Sequence, residues 1–380
     1  MELTSRRGFV ATAAGVALAG LAGCIGGVTS QGADGHEGRG TGDDAQSTAR
    51  GPRKQGVPIR SSPLPVEYEF STLREEVLSG GPPKDGIPSI DDPKFRSAEN
   101  ADEDLRDADV VFGLVRNGEA KAYPQKILVH HEITNDAVGG EPVAVTYCPL
   151  TGTAMGFRRG ETTFGVSGKL LNNNLVMYDR ETDSRWPQVL GTAISGAFEG
   201  ESLREFRLVW TTWKRWKQAH PETRVLSEET GYVRNYGQDP YGSYVPNPSG
   251  YYVRDSTLFP PLRSDGRLPN KRVVAGARTG AGRIAFDKSA LREAGLLSGS
   301  VGDTPHLAVY DAELDAAYVY RNPDGASFDY EDGRAVAGDG TRHDPADLPL
   351  LGVYAFDAMW FAWAGFYPST GLVTGEGESG

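Results

Sequence analysis

The chain has 380 residues, of which 38% are hydrophobic and 24% charged, and its net charge is −12. That length accommodates one large domain or two ordinary ones, and the composition predicts a folded core under a polar surface. An acidic chain repels phosphate, which argues against nucleic acid as a partner; outside the N-terminus no apolar run reaches the roughly 18–20 residues of a spanning helix.

The first 24 residues read as a targeting segment. Ser5-Arg6-Arg7-Gly8-Phe9-Val10 is a twin-arginine pattern, followed by an Ala/Gly/Val-rich stretch and then Leu21-Ala22-Gly23-Cys24. A charged start and a short apolar middle mark a signal peptide rather than a membrane span. The Leu-Ala-Gly-Cys end has the form of a lipobox, which makes Cys24 the lipid-modified first residue of the mature chain. The expected location is the cell surface, on the outer face of the cytoplasmic membrane after twin-arginine export, with the membrane as a partner through Cys24. Residues 25–66 are rich in Gly, Ser, Thr, Asp and Gln and read as a flexible tether.

Residues 67–374 are expected to form a single compact unit. A short helix is predicted from Phe70, capped by Ser71 or Thr72, and it ends at Gly80-Gly81-Pro82-Pro83. The Asp-, Pro- and Ser-rich stretch to Asp107 reads as a wrapped lead-in.

A segment then occurs twice. Residues 110–158 align without a gap onto residues 273–321, with 11 of the 49 pairs identical, Gly113 with Gly276 and Tyr147 with Tyr310 among them. Each copy predicts a hairpin, a short helix and further strands, the first hairpin turning at Arg116-Asn117-Gly118. Asn135-Asp136 and Gly139-Gly140 read as a helix end turning into a strand. A second match pairs Trp213 and Trp216 with Trp360 and Trp363, and their i, i+3 spacing favours core packing. The fold class is therefore α+β, mostly antiparallel β with short helices, built as two tandem repeats related by a pseudo-twofold. Repeat one covers residues 108–226 and repeat two residues 271–373. The Tyr-, Pro- and Gly-dense residues 230–270 form an ordered crossing loop or lid.

What the copies do not share isolates candidate chemistry. The first copy holds His130-His131-Glu132 and Cys148; the second has Glu293, Ala294, Gly295 and Asp311 at those offsets. With Cys24 lipidated, Cys148 has no disulfide partner, so its thiol is buried, metal-bound or reactive. A neighbouring imidazole from His131 would lower the thiol pKa, and Glu132 would orient the ring or move a proton. The catalytic candidates are thus His131, Glu132 and Cys148. The metal version uses Cys148 and His131 with copper first and zinc second. The first copy also carries an insertion near residues 169–190, where polar side chains suit a ligand pocket: Ser167, Asn172, Asp179 and Trp186 are the binding candidates.

At these residues the chain resembles a known family. Ala122-Tyr123-Pro124, His131-Glu132-Ile133, Asn135-Asp136, Thr146-Tyr147-Cys148-Pro149-Leu150, Gly152-Thr153, Phe164-Gly165-Val166-Ser167-Gly168, Tyr178-Asp179-Arg180 and Trp360-Phe361-Ala362-Trp363 match the pattern of domain of unknown function 3179 over about residues 105–373. Many members of that family have a second cysteine at the position of Thr151, so the resemblance implies a single thiol here rather than a dithiol. Acidity, sparse Lys and the lipobox also resemble secreted lipoproteins of halophilic archaea. The expected function is a surface lipoprotein with a His/Glu/Cys site that either binds metal or performs Cys-based catalysis. The alternative is a non-catalytic binding module for a small molecule or protein, using a Tyr/Trp-lined groove over a buried Cys148.

Overall fold

The computed structural model describes residues 56–380 apart from 246, 376 and 380. The signal segment and Cys24 lie outside the described residues. Antiparallel strands dominate, and the helices are short: the longest have seven residues, such as Gln125–His131 and Trp213–Ala219. Among the described residues no helix is long and apolar enough to cross a membrane.

The element boundaries explain the sequence pattern. The hairpin Val110–Arg116 with Glu119–Pro124 leads into the helix Gln125–His131 and then the strands Ile133–Val138, Glu141–Cys148 and Thr153–Arg158. At a spacing of 163 positions lie Val273–Thr279, Gly282–Asp287, Lys288–Ala294, Leu296–Val301, Thr304–Asp311 and Ala316–Arg321. The helices Trp213–Ala219 and Trp360–Phe366 stand 147 apart. In each half the hairpin sits in a five-stranded sheet, and the next three strands form a four-stranded one.

A tryptophan lying on a glycine fixes each helix to its hairpin. A Cβ on Gly113 would overlap the indole of Trp216, and one on Gly276 would overlap Trp363. Each indole N–H is then held by a threonine, Trp216 by Thr223 at 3.0 Å and Trp363 by Thr370 at 2.9 Å. The i, i+3 tryptophans are thus core, as their spacing implies. Between the halves, Arg278 and Glu205 form a buried ion pair at 3.1 Å. Losing one partner of such a pair strands the other charge, at a cost of about 3–5 kcal/mol.

Three expectations are corrected. The tether ends earlier than residue 66: Val57 and Leu64 are buried, and the Leu64 N–H donates to Ser202 Oγ at 2.8 Å. These few apolar residues find a surface to cover, which bulk composition conceals. The first helix, Phe70–Glu75, starts from Glu69 with no side-chain cap. Asn135 and Asp136 lie inside the strand Ile133–Val138, and Gly139-Gly140 make its hairpin turn. Asp136 there accepts from Lys121 Nζ at 3.0 Å and Tyr123 OH at 2.6 Å, a buried polar cluster that keeps two otherwise turn-prone residues extended.

The insertion is a further sheet, Phe164–Leu171 with Asn174–Asp179 and Arg185–Pro187, edged by Leu78–Ser79 from the lead-in.

Gly113→Ala should lower stability by about 2–3 kcal/mol through overpacking against Trp216, read as a drop in urea midpoint at unchanged slope.

Candidate functional site

The helix Gln125–His131 ends in one residue. Glu132 donates its N–H to Leu128 O at 2.7 Å, adopts φ 59° and ψ −29°, and sends the chain straight into the next strand. Its carbonyl accepts from the Tyr147 N–H at 2.8 Å, which docks the cysteine-bearing strand Glu141–Cys148 against the reversal. The second half makes the same reversal at Gly295, with φ 75° and ψ −35°, and Tyr310 N–H reaches Gly295 O at 2.8 Å. Glycine adopts this left-handed backbone freely, whereas a side chain makes it cost on the order of 1 kcal/mol or more.

Glu132 also buries its carboxyl. The residue is 6% exposed. Burial pushes its pKa up to about 8, so near neutral pH it is largely a protonated acid.

Cys148 closes the neighbouring strand and is 1% exposed. Its sulfur accepts from the Leu175 N–H at 3.4 Å and faces Asn173 O at 3.6 Å. Burial, and then the Glu132 charge, push the thiol up to about 11. Thr151, where the C-P-L-C pattern has its second cysteine, lies close enough to the thiol to offset part of that rise. The Thr151 hydroxyl in turn meets Thr153 Oγ1 at 2.8 Å and receives Asn174 Nδ2 at 3.0 Å.

His131 does not join them. With carbonyl Pro88 O at 2.7 Å from Nδ1, that nitrogen is the donor, and Nε2 accepts from Tyr236 OH at 2.7 Å. Burial pulls its pKa down to about 4. The expected activation of the thiol by His131 is therefore corrected: the ring is neutral, both nitrogens are occupied, and it braces the lead-in against the crossing segment. His131 is the last helical residue and faces Pro88 and Tyr236, while the left-handed backbone at Glu132 sends its side chain elsewhere. This also removes a donor from the metal set. Among the described residues no group of three or more His, Cys, Asp or Glu is placed to hold a metal ion.

The insertion residues hold structure rather than line a space near Cys148. Asn172 accepts from Leu262 N–H at 2.9 Å and donates to Ala362 O at 3.0 Å. Ser167 donates to Val176 O and accepts from Lys169 N–H at 3.1 Å, at a break in strand register. Asp179 is fully buried, accepting from Thr182 N–H at 2.7 Å and Trp186 Nε1 at 3.0 Å, while Trp186 packs on Phe198. All the polar atoms named here have protein partners.

Tyrosines of the crossing segment, expected there as a lid or groove but not named one by one, form the cover. Burial, and then the charges of Glu132 and Cys148, push the Tyr241 hydroxyl well above its usual range, which puts both groups within electrostatic reach of it. Tyr251 OH donates to Leu150 O at 2.7 Å, on the turn after the cysteine. Tyr244 stacks on Tyr252 with centroids 3.8 Å apart, and its hydroxyl lies 3.2 Å from that of Tyr147. The segment is fastened by Asn173, whose amide bonds Phe259 N–H and O at 2.9 Å each. The density of tyrosine in residues 230–270 was the available signal.

A family model described as a protein of unknown function, DUF3179, matches residues 84–370. The chain belongs to the DUF3179 family. The match begins in the lead-in, upstream of the motifs at about 105, consistent with Pro88 being part of the His131 brace. No curated protein and no solved structure matches the chain. Within this DUF3179 chain, Glu132, Cys148 and Tyr241 lie within electrostatic reach of one another.

Glu132→Gly should raise stability by about 1 kcal/mol, since it relieves the left-handed strain and removes a buried acid; urea denaturation at pH 7 measures it. The folded state keeps the Glu132 proton up to about 8, whereas the unfolded chain loses it near 4.5, so stability falls as pH rises through that window. The low pKa of His131 acts oppositely, losing stability as pH falls from 6.5 towards 4. From pH 6.5 to 8 the Glu132 slope dominates, roughly 2 kcal/mol in total, with Lys271, held down to about 8 by burial, opposing it only at the top of that window. Glu132→Gln should flatten it.

Proposed function

We propose that this DUF3179 protein is a cell-surface lipoprotein in which two copies of one scaffold, related by a pseudo-twofold within residues 67–374, carry a single acid–thiol site of Glu132 and Cys148. The second copy, residues 271–373, serves as structural support. The anchor at Cys24 remains part of the proposal, as does export by the twin-arginine route.

One observation carries the reading. Glu132 keeps a left-handed backbone and a largely buried side chain where Gly295 occupies the same conformation without strain. A glycine there would fold better, so the glutamate is retained for what its carboxyl does. An acid with a pKa near the working pH gives and takes protons most effectively.

The chemistry we infer is attack on an electrophilic carbon. In molecules with Glu132 ionised, a fraction that grows as pH approaches 8, the Cys148 S–H bond breaks, its proton passes to the Glu132 carboxylate, and the S–C bond forms as the bond from that carbon to the leaving group breaks. Glu132 then returns the proton to the leaving group, giving Cys-based group transfer. With the tyrosine cover closed, the thiol is held protonated, so the reactive state requires the crossing segment to lift. Thiol chemistry is preferred over copper or zinc because His131 has committed both nitrogens. The burial of Cys148 favours the rival reading, a binding module in which the thiol is inert.

Iodoacetamide labelling of folded protein, read at the Cys148 peptide by mass spectrometry, separates them. The acid–thiol site predicts labelling faster than global unfolding, with a rate that rises through pH 8. Glu132→Gln should remove that inflection, and Asn173→Ala should speed labelling several-fold by loosening the cover. Labelling only at the global unfolding rate, unchanged by Glu132→Gln, would sink the acid–thiol reading.

A further inference from the structure

A cleft of ≈ 460 Å³ opens where the two halves meet the crossing segment. Gly152 and Trp210 reach it from the first half, Tyr244 from the crossing segment, and Lys271, Arg292 and Met359 from the second. Its size and its position between structural units are those of a small-ligand site.

Its charge runs against that of the chain. The protein carries −12 overall, yet four cations line this cleft against the two carboxylates of Asp315 and Asp357. Three of the cations are already paired: Lys288 with Asp357, Arg292 with Asp315 at 2.7 Å, and Arg272 with Asp287 at 3.1 Å. Lys271 forms no ion pair among the described residues. It donates to Tyr251 O and lies over the Tyr251 ring, 3.2 Å from its centroid. An ammonium held on one carbonyl and a ring face has donors to spare.

The apolar wall carries a second unused donor. Five of the six tryptophans have their indole N–H bonded, to Asp179, Asp102, Thr223, Asp265 and Thr370. Trp210, half-buried, is the exception among the described residues. Its ring is held edge-on by Tyr244, with centroids 5.4 Å apart at 88°, and by Phe112 at 5.0 Å. It is therefore rigidly placed while its N–H is free.

We propose that this cleft binds a small amphipathic anion, with a flat apolar body against Trp210, Tyr244 and Met359 and its acidic head on Lys271. The head is a carboxylate or a phosphate, both of which suit an ammonium. The inference does not rest on the acid–thiol reading, since neither Glu132 nor Cys148 lines the cleft.

Ligand-observed NMR and tryptophan fluorescence at fixed ionic strength provide the test, with phenylacetate and phenyl phosphate as probes. Benzyl alcohol and benzylamine serve as neutral and cationic controls. Saturable binding of one or both acids, and weaker binding of both controls, is expected; which acid binds better identifies the head group. Lys271→Gln should weaken the acid about tenfold or more, the usual worth of a charged hydrogen bond. Trp210→Phe, which keeps the ring, should weaken it several-fold. Cys148→Ala should leave binding unchanged, so that loss of the thiol chemistry and loss of this site are told apart. No saturable binding of either acid up to about 10 mM, equal binding of benzylamine, or full affinity in Lys271→Gln would each overturn the proposal.

Discussion

The reversal at Glu132 is the constraint on which the site depends. One left-handed residue turns a seven-residue helix into a strand, and its carbonyl then holds Tyr147 and with it the strand ending in Cys148. Any wider turn would separate the helix end from that strand. Because the reversal takes one residue, that residue's side chain is buried within electrostatic reach of the thiol. The second half uses the same geometry at Gly295 and has no side chain to place there.

Burial then sets the protonation of what the reversal gathers. Removing charge from water raises an acid and lowers a base. Glu132 and Cys148 are both driven toward their protonated forms, and His131 toward its neutral form. The resting centre is thus uncharged, which suits a region packed among Tyr241, Tyr251, Leu150 and Met359. A site with this electrostatics is quiet while covered, and the cover is a long crossing segment tied down by side-chain amides rather than by a sheet.

Much of the scaffold was legible along the chain. The paired positions of residues 110–158 and 273–321 anticipate the strands, because a one-residue shift would turn each strand's apolar face outward. Gly113 and Gly276 recur because an indole lies on each. The tryptophan spacing announced core packing for the same reason. The helix predicted before Glu132 is present as well. What misled was local: Asn135 and Asp136 have turn-forming side chains, yet Lys121, Tyr123 and Phe164 satisfy them within a strand. Asn172, Asp179 and Trp186 read as pocket residues because polar and aromatic groups in an insertion look available. Their partners, Leu262, Ala362, Thr182 and Phe198, include segments far away in sequence.

By itself the sequence determined the α+β character, the core tryptophans, the family and the identity of the residues that the first half alone possesses. These follow from periodicity, composition and comparison of one segment with another, all of which are local or additive along the chain. Only the tertiary structure decided that Glu132 and Cys148 lie within electrostatic reach of each other while His131 turns away to Pro88 and Tyr236. It also decided that tyrosines of the crossing segment cover them, and that Trp210 and Lys271 keep unused donors on a shared cleft. Those outcomes depend on which direction a side chain leaves the backbone and on what distant segment arrives opposite it. A single dihedral at residue 132 controls the first, and the packing of some hundred intervening residues controls the second.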